Sequence, residues 1–238
     1  MPLKAQLIQL VEYMQEQMVS FPDLLTPEQV EASGKVDDWS AKDNLFHCLF
    51  WAGNQLEILE TLEKGADWDD SGDNDFEAIN REKFVEFENR SWGDGRSLAK
   101  EKYQGMLAYL HRIEDDVLQQ IRKDRENPVW REILSLYITH PMIHLWEQLT
   151  AAGKVETVAE IFGDEYHNML LALDDGESYQ GGVFYNQACL LALTGELEEA
   201  VKVLEKALKM TPALIEWSQE DSDLEALREL PKYLALYT

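Results

Sequence analysis

Histidine is scarce in this chain, five among 238 residues, so the positions of the five carry information. His140 and His144 stand four apart in Tyr137-Ile138-Thr139-His140-Pro141-Met142-Ile143-His144-Leu145-Trp146. On a helix that spacing puts two imidazoles on one face, where they can share a metal ion. A third nitrogen has to come from another element, and His47 is available for it. Three neutral imidazoles leave one or more metal positions open, the arrangement of a catalytic centre and not of a closed structural one. Water bound there loses a proton near neutral pH, or a substrate thiolate takes its place. Carboxylates nearby would orient the rings, and two have the right spacing: Asp43, four before His47, and Glu147, three after His144. Both are candidate catalytic residues, and each also has a plainer role, Asp43 as a helix-cap partner and Glu147 as a solvated side chain.

Pro141 removes the zincin signature, which needs Glu after the first histidine. Inside a helix it also deletes the amide bond to the Tyr137 carbonyl. Three outcomes are open: a spoiled His140–His144 pairing, a Tyr137 carbonyl or Thr139 hydroxyl aimed into the pocket, or a helix that restarts with Thr139 as its cap.

Other motifs weigh less. Asp67-Trp68-Asp69-Asp70-Ser71-Gly72-Asp73-Asn74-Asp75 imitates a calcium loop for nine positions, but Ala78 replaces the bidentate glutamate at the twelfth, so it reads as an acidic connection. Cys48 points about 100° away from His47 around a helix and reads as a core thiol. His111 and His167 lack partner spacing. Trp51, Trp130 and Trp146 fall at helical spacing with aliphatics and read as core. Gly93-Asp94-Gly95-Arg96 lacks the strand that a dinucleotide fingerprint needs.

The elements that must position these residues are helices throughout, and period-two alternation is absent. Leu3, Leu7, Leu10, Val11, Met14 and Met18 form one stripe, ended by Phe21-Pro22. A second helix opens at Ser40, which can cap the Asp43 amide, and runs to about Lys64. Helical pattern returns over residues 80–89 and 97–122. The next helix opens with Pro128 and ends near Gly153. Residues 1–153 therefore read as a four-helix bundle with a short extra helix, and 154–238 as a second unit. Within the latter, Phe184, Ala188, Leu191, Gly195, Ala200, Leu204, Ala207 and Pro212 match one tetratricopeptide repeat. A single hairpin must lean on something, for which a helix over 155–173 and the bundle are the candidates. One or two capping helices are expected from Trp217 to Leu236.

Trp39-Ser40-Ala41-Lys42-Asp43-Asn44-Leu45-Phe46-His47 resembles the opening of the second helix in the DinB/YfiT-like metal-binding superfamily. Glu88-Asn89-Arg90-Ser91-Trp92, a long helix, and then Thr139-His140 to His144 are similar in order and spacing to its ClbS/DfsB branch. The resemblance covers about residues 3–150. It implies an all-α fold, an up-down-down-up four-helix bundle with His47, His140 and His144 at one end of the core, holding zinc or nickel. It implies thiol-dependent or hydrolytic chemistry on a reactive small molecule, as in detoxification or resistance. The alternative is a non-catalytic interaction protein that uses the tetratricopeptide-like helices.

Composition narrows the partners. Forty-six acidic against 21 basic residues give −25, a charge that repels phosphate backbones and anionic lipid. No apolar run reaches about 18 residues, and Gln6 and Gln9 interrupt any signal-peptide core. Two cysteines cannot make a disulfide framework. The expectation is a cytoplasmic protein with a small-molecule substrate, without nucleic-acid or membrane partners. A homodimer and a protein partner on the C-terminal helices are the associations left open.

Overall fold

The computed structural model describes residues 1–36, 38–65, 75–122, 126–174 and 176–237. Among them the structure is all-α, with two isolated β-bridges and no strand. The acidic calcium-like segment lies outside the described residues apart from Asp75, which caps the following helix through the Ala78 amide. The chain divides into two compact units, Met1–Ala152 and Gly153–Thr238.

The first unit is built on α1 (Leu3–Leu24), α3 (Ala41–Glu63), α5 (Trp92–Arg112) and a long final rod. Short α2 (Pro27–Glu31) and α4 (Phe76–Phe87) lie in the connections. The rod consists of α6 (Val129–Leu134), a π turn (Ser135–Thr139) and α7 (His140–Ala151). Paired contacts give the directions. Gly95 abuts Leu45 and Gly105 abuts Leu56, so α3 and α5 run parallel. Asp23 meets Arg96 and Lys4 meets the carbonyl of Ile113, so α1 opposes α5. His47 meets His140 and Gln55 meets Glu132, so the last rod opposes α3.

Local chemistry sets the ends. Ser40 and Asp43 form a reciprocal capping box at the start of α3, and Ser91 and Asp94 repeat it at α5. α5 therefore starts at Trp92 and stops at Arg112, whereas periodicity alone carries a helix from 97 to 122. His111 and Arg112 suit a helix C-terminus, while Glu114, Asp115 and Asp116 would face its negative pole. The chain turns extended at Ile113 and resumes as a 3-10 turn, Asp115–Gln119. α1 likewise runs through Pro22 to Leu24 instead of ending there, with Phe21 and Pro22 both buried.

The π turn has a reason in the sequence. Buried residues recur strictly every four: Val129-Trp130, Ile133-Leu134, Tyr137-Ile138, Pro141-Met142, Leu145-Trp146, Leu149. At about 100° per residue a four-residue repeat overshoots a full turn by about 40° and spirals off one face. A wider turn takes up the excess. Here the His140 amide donates to Ser135, five residues back. The Tyr103 hydroxyl donates to the Tyr137 carbonyl at 2.9 Å, the group that Pro141 has no N–H to serve. Thr139 keeps helical torsions, and its hydroxyl donates to the Ser135 carbonyl at 3.2 Å. The rod thus neither restarts at Thr139 nor sends the Tyr137 carbonyl into a pocket. The Tyr137 hydroxyl donates to Ala52 of α3 at 2.7 Å, which clamps this turn to the opposite helix.

In the second unit the single helix expected over 155–173 is two, α8 (Val155–Phe162) and α9 (Asp164–Leu171). They break at Gly163, where a Cβ would sit 2.4 Å from the Ala159 carbonyl oxygen. α10 (Glu177–Leu193) and α11 (Leu197–Met210) form a hairpin that turns on Gly195 at φ 85°. Ala188, Ala200 and Ala207 are wholly buried between its arms. The end of the chain consists of α12 (Leu214–Glu220), α13 (Pro231–Leu234) and two 3-10 turns. Asp221 fastens it to α10 by accepting from the Tyr185 hydroxyl at 2.7 Å. No helix of the described residues is long and apolar enough to cross a membrane.

Candidate metal centre

Continuity of the rod through Pro141 keeps His140 and His144 one turn apart, and their Nε2 atoms stand 3.1 Å from each other. From α3, His47 places its own Nε2 3.0 Å from that of His140. One nitrogen from each ring lies within 4.8 Å of the other two. Two nitrogens bound about 2.05 Å from one tetrahedral ion stand about 3.3 Å apart, so the observed spacing fits a shared cation. Hydrogen bonding alone serves the cluster badly. His140 Nε2 offers a single proton or a single lone pair and has two neighbours at bonding distance.

The rings are in their ligating form. Burial, helped by His140 and His144, pushes the pKa of His47 down to about 3, and a hydrogen bond to Asn80 works the other way. Burial and then His144 bring His140 down to about 4, and burial lowers His144 as well. Three neutral imidazoles at pH 7 present three lone pairs to one point.

Neither candidate carboxylate joins the cluster directly. One Asp43 oxygen accepts the Ser40 amide at 2.9 Å and the Ser40 hydroxyl as well, the plainer cap role. Glu147 Oε2 lies 3.4 Å from His144 Nδ1, too long for a good hydrogen bond, on a side chain 61 % exposed. Partial burial raises the Glu147 pKa. The outer nitrogens of His140 and His144 are buried without a hydrogen-bond partner. Cys48 is a buried free thiol whose pKa burial raises, as expected of a core residue. His167 is buried with Nδ1 3.0 Å from the Gly163 carbonyl, and His111 is exposed at the end of α5.

A cleft of about 740 Å³ opens beside His47 and His140. Phe50, Trp51 and Phe76 line it with aromatic surface, and Ile143 stands at its edge, 47 % exposed. Trp51 is thus a cleft residue, not core; its Nε1–H donates to Asn80 at 3.0 Å. Trp130 and Trp146 are buried. Further from the histidines, Glu132 takes two hydrogen bonds from Arg122 and one from Gln55 at 3.0 Å. That nearly buried pair cancels its own charge within the cleft.

Spacing alone does not reveal Trp39, Asn80, Arg122 or Glu132 as neighbours of the site. A signal for Asn80 lies on α4, which starts at Phe76 and not near Asn80, and on which Ile79, Asn80, Lys83, Phe84 and Phe87 fall on a single face. No protein-family model, curated protein or solved structure matches the chain.

Proposed function

We propose that this is a DinB-like, metal-dependent enzyme acting on a reactive small molecule, in which His47, His140 and His144 hold one zinc or nickel ion. The observation that carries the reading is the convergence of three neutral imidazoles, from two separate rods, at the edge of an open cleft. A down-down pair of parallel central helices and the Trp39-Ser40 opening of α3 support the family assignment. When bound, such an ion supplies Lewis acidity, which makes water nucleophilic near neutral pH or orients a thiolate.

The chain's own residues provide the rest. Aromatic faces of Phe50, Trp51 and Phe76 hold the apolar body of a substrate against the site. The Arg122–Glu132 pair, neutral in sum, admits it without a charge requirement, which suits an electrophile more than an anion in a protein of net charge −25. Glu147, 3.4 Å from the outer nitrogen of His144 and largely exposed, stands ready to accept a proton on the solvent side.

The test is turnover of a panel of activated esters, and of electrophiles paired with low-molecular-weight thiols, by metal-loaded protein. Activity should fall by about 100-fold or more when any one of the three histidines becomes alanine. Activity that survives all three replacements, or survives chelation, overturns the reading.

A further inference from the structure

Among the three ligands, His47 is held differently from the other two. His140 and His144 ride on a rod whose neighbouring residues Pro141, Met142, Leu145 and Trp146 are all buried. The ring of His47 contacts two indoles, Trp39 with its centroid 4.8 Å away and Trp51 edge-on at 6.5 Å. Both indoles are in turn held by α4. Phe84 stacks on Trp39 at 6.4 Å, with the planes 18° apart. Asn80 accepts the Trp51 N–H, and Phe76 packs on the same indole at 5.5 Å. Two more contacts finish the seam: Phe87 stacked on Phe46 at 5.1 Å and the Lys83 ammonium over Phe50.

This helix is nonetheless lightly attached. None of its residues is fully buried, and its packing is on α3, through the half-buried face Ile79, Asn80, Lys83, Phe84 and Phe87. An element with so little buried surface opens at a fraction of the global unfolding cost. The two histidines of the rod are therefore built in, while the third acquires its orientation from a strap that docks.

We propose that α4 assembles the metal centre: docked on α3 it fixes the His47 ring through Trp39 and Asn80, and undocked it leaves a two-histidine site. Asn80, Phe84 and Trp39 are then positioning residues, acting through His47 and not on a substrate. Linkage makes the effect reciprocal, so a cation held by three histidines must stabilise the docked strap by the factor by which docking tightens the cation. The inference rests on the metal reading above.

The experiment measures zinc Kd by competition with a chromophoric chelator, and amide hydrogen exchange across residues 76–87 with and without zinc. Wild-type protein should show slower exchange in that segment on binding zinc. Phe84→Ala and Asn80→Ala should each raise Kd by about tenfold or more, with the metal-free melting temperature little changed. Phe84→Tyr should keep the wild-type Kd, as should Val85→Ala on the outer face of the strap, where Val85 is 57 % exposed. If zinc binds but exchange over 76–87 ignores it, or both inner-face alanine variants keep the wild-type Kd, the strap has no such role. A wild-type chain that takes up no zinc overturns the metal reading and this inference together.

Discussion

The three imidazoles define what single residues do here, and they carry a pH signature even without metal. In the unfolded chain each ring titrates near pH 6.5, while in the folded protein burial holds His47 at about 3 and His140 at about 4. Above pH 6.5 the rings are neutral in both states and contribute no pH dependence. Between 6.5 and the folded values the unfolded chain binds more protons, so stability falls as pH falls, by at most ~1.4 kcal/mol per pH unit for each ring. In chelator, the melting temperature of the wild type should therefore drop more steeply from pH 7 to about pH 5 than that of the triple His→Gln variant. Parallel acid limbs would show that these rings do not resist protonation. The pairing of His140 with His144 was legible as an i, i+4 spacing, and His47 through the Trp39-Ser40 opening. Asn80, which reaches His47 from α4, was not, because only the tertiary fold brings the two helices together.

At the scale of elements, the rod 129–151 shows where sequence reading runs out. Periodicity finds the helix, but Pro141 leaves the fate of the Tyr137 carbonyl open, and the group that resolves it is a hydroxyl 34 residues away on α5. Replacing Tyr103 by Phe strands that buried carbonyl and should cost about 1–3 kcal/mol. Pro141→Ala restores an N–H near the same oxygen, so the double variant should lose less than the sum of the two single changes. Urea denaturation of the four proteins in the cycle measures this, and strict additivity would mean the hydroxyl and the proline do not share the carbonyl. The early stop of α5 was available in the sequence, in the switch from His111-Arg112 to Glu114-Asp115-Asp116, but a hydrophobic stripe continuing through Ile113 and Val117 masks it. The same failure occurs in the second unit, where an apolar pattern continuing on both sides masks the break at Gly163.

The whole molecule is dominated by its charge. The exposed ion pairs, such as Arg112 with Glu60 and Glu63, contribute about 0–1 kcal/mol each, too little to offset repulsion within a chain of net charge −25. Salt should therefore stabilise the protein, its melting temperature rising between about 20 mM and about 500 mM NaCl as the screening length shrinks from tens of ångströms to a few. A falling melting temperature would mean that local pairs outweigh the global field. The all-α class was readable because every apolar stripe keeps helical spacing, whereas the cleft is assembled from α3, α4, the last rod and Arg122, Glu126 and Asn127 before it, with no local motif to announce it. The account as a whole is tested most directly by elemental analysis of protein purified without an affinity tag and exchanged into metal-free buffer. It predicts close to one equivalent of a divalent transition metal, zinc or nickel, in the wild type and essentially none once His47, His140 and His144 are all alanine. A metal-free wild type that also fails to take up added zinc, or a triple variant that keeps its ion, would contradict it.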